Sequence, residues 1–183
     1  MNKIIITILI GVVVILGLGY LLYMLKPAQL PEDDMSQQIT PDVKNATYVI
    51  EGQRTTLING RAEKEVAAGS ASKMVTQYFG NEAKGDFNND GKQDIAFLLT
   101  QNTGGSGTFY YVTVLASMES NYTSTNAILL GDRIAPQTTE FRDGAIIVDY
   151  ADRKPGEPMT ATPSVGVSKY FTVTGSTLAE VEK

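Results

Sequence analysis

Between residues 85 and 97 the chain reads GDFNNDGKQDIAF. Counted from Asp86 as position 1, Asn88 is position 3, Asp90 is 5, Gly91 is 6, Lys92 is 7 and Asp94 is 9. Alternate residues of a tight loop can turn their oxygens toward one point. Calcium takes six to eight oxygens at about 2.3–2.6 Å. Asp86, Asn88, Asp90 and Asp94 supply at least four by side chain and Lys92 another by its carbonyl, while glycine at position 6 permits the sharp turn. Three carboxylates so close together repel one another unless a cation lies among them. The bland alternative is a polar turn between two strands, with the Asn and Asp side chains bonded to the backbone around Gly91.

The rest of the composition narrows the chemistry. The chain has neither Cys nor His. That excludes Cys/His zinc sites, haem ligation by His, thiol nucleophiles, His-based triads, disulfides and lipid attachment through cysteine. A metal site here is built from oxygen and suits a hard cation, calcium or magnesium.

An EF-hand loop carries Glu at position 12, and this chain has Phe97 there, followed by strand-like rather than helical sequence. The stretch instead resembles the calcium loop of FG-GAP and integrin-type repeats, which reads like GDFNGDGKxDLAV. That resemblance implies a loop between two strands holding one calcium. Asp86, Asn88, Asp90 and Asp94 would ligate by side chain and Lys92 by its carbonyl. It covers about 13 residues and does not carry the propeller fold, because one loop is too little for several four-stranded blades. With every ligand in one short loop, the implied role of calcium is structural.

Three other stretches hold polar or aromatic residues suited to a site. TQNTGGSGTFYY (residues 100–111) is glycine-rich but lacks the Gly-Lys-Ser/Thr ending of a phosphate loop, and Ser106 has no His to activate it. It reads as a connection into a strand. DYADRKPGEPM (149–159) gathers Asp149, Asp152, Arg153, Lys154 and Glu157 around two prolines. Paired carboxylates could act on a glycan, though a solvated loop is the commoner use of such a stretch. Phe109, Tyr110, Tyr111 and Tyr150 suit either a pocket or, more usually, cross-strand packing.

The elements that must position these residues are mainly β. TYVIEG, RTTLING, DIAFLLTQ, TFYYVTVLAS, NAILLGDRIA, GAIIVDYAD and SKYFTVTG are short runs bounded by Gly, Pro, Asn or Asp. DIAFLLTQ is a dense apolar run suited to a buried strand. SKMVTQYFG fits a strand or a short helix with Met74, Val75 and Tyr78 on its apolar face. The expected fold is an antiparallel sandwich or barrel-like domain over residues 46–183, with one short helix as an option.

Ahead of it, Ile4 to Leu25 runs 22 residues without a charge. As a helix that is about 33 Å, enough for a hydrocarbon core of about 30 Å. Residues 1–26 therefore read as an uncleaved transmembrane anchor, and the proline-bearing, acidic stretch 27–45 as a flexible linker. The positive-inside rule favours a cytoplasmic amino terminus and an outer C-terminal domain.

The chain carries 15 bases and 20 acids; Lys3 and Lys26 lie in the first 26 residues, which hold no acid, leaving 13 bases, 20 acids and a net −7 beyond. That argues against a nucleic-acid partner. GSASKMVTQYFGNE, TQNTGGSGTFYYV, LLGDRIAPQTTE and DYADRKPGEPM are similar to stretches of a group of bacterial membrane-anchored envelope proteins. The resemblance implies the anchor and the setting but no activity.

The expected function is a single-pass, membrane-anchored module of the bacterial envelope, binding or structural rather than enzymatic, with structural calcium and an envelope protein or glycan as partner. The alternatives are a carboxylate-based hydrolase or inhibitor acting on envelope glycan, and a subunit of a larger envelope assembly.

Overall fold

The computed structural model describes residues 41–118 and 121–183. The described residues belong to one compact unit that ends at Lys183. The expected anchor, and the linker as far as residue 40, lie outside the described residues. Among the described residues no helix is long and apolar enough to cross a membrane. Val43, within the expected linker, is buried against the folded unit.

The described residues form strands β1 (Thr47–Ile50), β2 (Gln53–Thr56), β3 (Arg61–Glu65), β4 (Lys73–Gly85), β5 (Asp94–Asn102), β6 (Phe109–Ser117), β7 (Tyr122–Ser124), β8 (Asn126–Asp132), β9 (Ala135–Arg142), β10 (Ala145–Asp152), β11 (Val165–Thr174) and β12 (Thr177–Val181). The larger sheet runs β2-β1-β8-β6-β5-β4-β3, with β7 also paired to β6, and is barrel-like and nearly closed. The smaller runs β12-β11-β10-β9. All pairs are antiparallel except β1 with β8.

Two apolar cores explain the density of β5. Its alternate residues point to opposite faces. Ile95, Phe97 and Leu99 fill the inside of the curved sheet with Tyr48, Ile50, Leu57, Tyr111 and Leu115. Ala96 and Leu98 face the smaller sheet and pack with Val112, Val114, Ile146, Val148 and Phe171. A strand buried on both sides cannot alternate apolar with polar. Phe97 has no exposed surface and sits edge-on to Tyr48, ring centroids 5.4 Å apart.

The SKMVTQYFG segment is strand β4, so its helical alternative is set aside, and no helix occurs among the described residues. Met74 pairs with Lys64 and Thr76 with Ala62, fixing a period of two. The β-branched Val75 and Thr76 and the aromatic Tyr78 and Phe79 suit that conformation better than a helix.

Candidate metal-binding loop

The loop from Asp86 to Asp94 joins β4 to β5 and is seated by Phe87. Phe87 is buried and lies edge-on to Phe141 of β9, with ring centroids 4.7 Å apart. Gly85 makes that seat possible. A Cβ on it would come within 2.6 Å of Phe141 Cδ1 and 2.8 Å of Phe87 Cε1. Farther along, Asn89 (φ 60°) and Gly91 (φ 81°) take left-handed conformations, and the chain turns back on itself there.

The turn gathers three of the expected ligands. Asp86 accepts the Asp90 amide on Oδ1 at 3.0 Å and the Gly91 amide on Oδ2 at 2.8 Å. Asn88 Oδ1 accepts the same Asp90 amide at 3.0 Å, and Asp90 Oδ1 accepts the Lys92 amide at 2.9 Å. Asn88 Nδ2 donates to Asp90 Oδ2 at 3.4 Å. Asp86, Asn88 and Asp90 thus share one small network.

Asp94 stands apart from that network and has no exposed surface. Its Oδ2 accepts the Phe87 amide at 2.9 Å, and its Oδ1 accepts the Ser117 amide at 2.7 Å. Burial pushes its carboxyl above the ordinary range. The two backbone bonds oppose that shift, and the negative charges of Asp90 and Asp86 reinforce it.

The loop is also tied to the end of β6 at Ser117 O, which receives Asn88 Nδ2 at 3.5 Å, and at Met118 O, which receives Lys92 Nζ at 3.2 Å. Among the described residues no three His, Cys, Asp or Glu side chains are grouped so as to hold a metal ion. The oxygens that do gather come from two carboxylates and one carboxamide. An ionised carboxylate offers about four lone-pair sites, so those of Asp86 and Asp90 retain acceptor capacity beyond their backbone bonds.

The polar groups of the other candidate stretches are bonded, within the stretch or to the strands around it. Asn102 organises the glycine-rich connection: its Oδ1 accepts the Gly104 amide at 2.8 Å and its Nδ2 donates to Gly107 O at 2.8 Å. Asp149 accepts from Thr138 Oγ1 at 2.9 Å and also from Ser168 Oγ. Asp152 accepts the Arg153 amide and Glu157 the Lys154 amide. Tyr111 and Tyr150 are buried, their hydroxyls donating to Glu51 and to Leu130 O. Phe109 is half-buried against the inner core, and Tyr110 packs on Phe79 with centroids 5.3 Å apart.

Two features escaped the sequence. Arg153 donates to Ala161 O at 2.7 Å and to Arg133 O at 3.0 Å, binding its loop to the β8–β9 corner. Second, a groove of about 320 Å³ opens between β2 and β3. The NG dipeptide at Asn59–Gly60 signals the hairpin turn that bounds the groove, not the opening itself. Comparisons with family models, with curated proteins and with solved structures gave no match.

Proposed function

We propose that this chain is a binding or structural module of the bacterial envelope, held by residues 1–26 as a single membrane span. Its β-domain would lie outside and carry a structural calcium on the 86–94 loop. The observation that carries the calcium reading is the convergence of Asp86, Asn88 and Asp90 on one turn. Those three would hold the ion by side chain, with the carbonyl of Lys92 beside them. Asp94 would contribute its charge from beneath, and would ligate through whatever lone pair its two backbone bonds leave.

A cation there offsets the negative charges of Asp86 and Asp90, which disfavour ionisation of Asp94. Extracellular calcium modules bind at roughly 10⁻⁴–10⁻³ M. At about ten times such a Kd the ion adds about 1.4 kcal/mol of stability. That orders a loop and its flanking strands without being needed to fold the domain.

Calorimetric titration of the chain with calcium tests this reading, with Asp90→Ala alongside and magnesium as competitor. Saturable heat, abolished by the substitution and accompanied by a rise in Tm, is the expected result. No heat and no thermal shift at millimolar calcium would leave the loop a polar turn.

A further inference from the structure

We propose that the groove between β2 and β3 receives an extended, acidic segment of a partner polypeptide as an added strand. This deepens the reading of the domain as a binding module and does not depend on calcium at the 86–94 loop.

The groove exists because a hairpin begins to zip and then stops. Asn59 (φ 53°) and Gly60 (φ 82°) form a two-residue turn that joins β2 to β3. Ile58 and Arg61 exchange backbone bonds at 3.0 and 3.2 Å. That turn is pinned from outside, where Asn45 Oδ1 accepts the Asn59 amide at 2.8 Å and Lys44 O accepts the Gly60 amide at 2.8 Å. Beyond Ile58 and Arg61 no pairing joins β2 to β3.

The strand periodicity shows which backbone groups are left over. Leu57 donates back to Ala46 O, so Gln53, Thr55 and Leu57 direct their amides and carbonyls toward β1. Arg54 and Thr56 direct theirs into the groove. On the other wall Tyr78 donates to Gly60 O and Val66 to Ser72 O, so even-numbered residues of β3 face β4. Glu63 and Glu65 therefore face the groove. Two unpaired strand edges, each with alternating donors and acceptors, look at each other across the opening. Such a row is matched by the backbone of an extended peptide.

The floor supplies a second observation. Gln101 is 5 % exposed and Thr76 2 %, and Gln101 Nε2 donates to Thr76 Oγ1 at 3.2 Å. The Gln101 carbonyl oxygen takes no hydrogen bond among the described residues and lies open to the groove, where an incoming donor can reach it. Short, charged edges are also a way for sheets to avoid pairing. Here, however, the edges border an open groove with a polar floor of Thr76 and Gln101.

Charge decides the occupant. Of the acids lining the groove, Glu51 is engaged by Tyr111, and Glu63 by Arg61 at 2.6 Å and Lys73 at 2.9 Å. Among the described residues Arg54 makes no ion pair or side-chain hydrogen bond, and Lys64 only donates to Gln53 Oε1 at 3.2 Å. Arg54, Arg61, Lys64 and Lys73 stand against Glu51, Glu63 and Glu65 around the groove, so its charge is positive by one, in a domain that is acidic overall. Thr55 shares the face of buried Tyr48, and Lys64 that of Met74, so Lys64 points inward and Arg54 outward. Adjacent acidic residues on an inserted strand would reach one cation each.

The test is selection of a displayed random octapeptide library on the full-length chain, followed by titration of synthetic hits. Acid-bearing, strand-forming sequences are expected, and binding should slow hydrogen exchange at the Thr56 and Glu63 amides. Glu63→Pro removes an amide that no internal ladder uses, a position where a sheet tolerates proline. It should weaken the hits about tenfold or more. Arg54→Glu, on an exposed side chain, should weaken them in a fully folded protein. Three results would overturn the proposal: no enriched peptide, hits insensitive to both variants, or Thr56 and Glu63 amides already protected in the free chain. Dimerisation of the chain through this edge would overturn it too, by making a second copy the occupant.

Discussion

Asp94, the first residue of β5, accepts the amide of Ser117, the last residue of β6, at 2.7 Å. Its second oxygen takes the Phe87 amide from the loop above, so one carboxylate fastens two strands and a turn. An Asn in its place has one oxygen and an NH₂ group, and so meets one of the two amides with a donor. Asp94→Asn should lower the free energy of unfolding by about 1–3 kcal/mol. Urea unfolding would show this as a lower midpoint at unchanged slope. An unchanged midpoint would mean that the two amides are satisfied without the carboxylate.

The pH dependence of stability should contain two opposed contributions. The Asp94 carboxyl is raised above its ordinary 3.8 by burial, with the charges of Asp90 and Asp86 adding to the shift. Its folded form binds its proton more tightly than the unfolded chain does. Its contribution is therefore fully present below 3.8 and is lost as pH rises through the folded value. For Asp132 burial also pushes upward, but the Arg133 guanidinium, the Thr108 amide and the charge of Arg153 outweigh it and leave the carboxyl lowered. Its contribution is present above 3.8 and is lost as pH falls through the folded value. Asp132→Asn should flatten the loss of stability on acidification below about pH 4. Asp94→Asn should flatten the decline on the other side, as pH rises above 3.8. Unfolding midpoints across that range in calcium-free buffer measure both. Identical pH profiles for the two variants would contradict the assignment.

Asn126 joins the two sheets by imitating a strand residue. Its Oδ1 accepts the Leu178 amide at 2.9 Å and its Nδ2 donates to Leu178 O at 3.1 Å. Leu178 is itself buried in the core between the sheets. Asn126→Ala should leave both β12 groups unpaired, at a cost of about 1–3 kcal/mol. Exchange at the Leu178 amide should rise more than at amides in the centre of β5. Equal acceleration everywhere would point to global destabilisation instead of a lost clamp.

Strand periodicity made much of this fold legible. The dense apolar DIAFLL run suited a buried strand, and β5 is one, covered on both faces. The charged and glycine-bearing loop at 86–94 stood out because its ligands are local. What stayed hidden depends on distant partners. Asp94 fitted a ligand position by spacing, yet its bond to Ser117 spans 23 residues and needs the β5–β6 pairing to exist first. Arg153 looked like part of a solvated loop because the carbonyl of Arg133, 20 residues away, carries no sequence signal. The groove was invisible for a related reason. TYVIEG and RTTLING were visible as strands, but nothing in their local propensity marks the point at which the β2–β3 hairpin stops zipping.

Gly85 offers the sharpest test of how the loop is seated. A methyl group there meets the rings of Phe141 and Phe87 below van der Waals distance, whereas one at Gly91 meets nothing within 4 Å. Gly85→Ala should therefore act through overpacking, at about 1–3 kcal/mol. Gly91→Ala should act through its left-handed backbone, at about 1–2 kcal/mol. The two are separable by a second substitution. Phe141→Leu shortens the group that blocks the new methyl, so the Gly85→Ala, Phe141→Leu double variant should be more stable than the sum of the single effects predicts. The same change should be additive with Gly91→Ala, because Phe141 has no contact with that site. Additivity in both cycles, measured by chemical denaturation, would mean that the Phe87–Phe141 seat does not set the position of the loop.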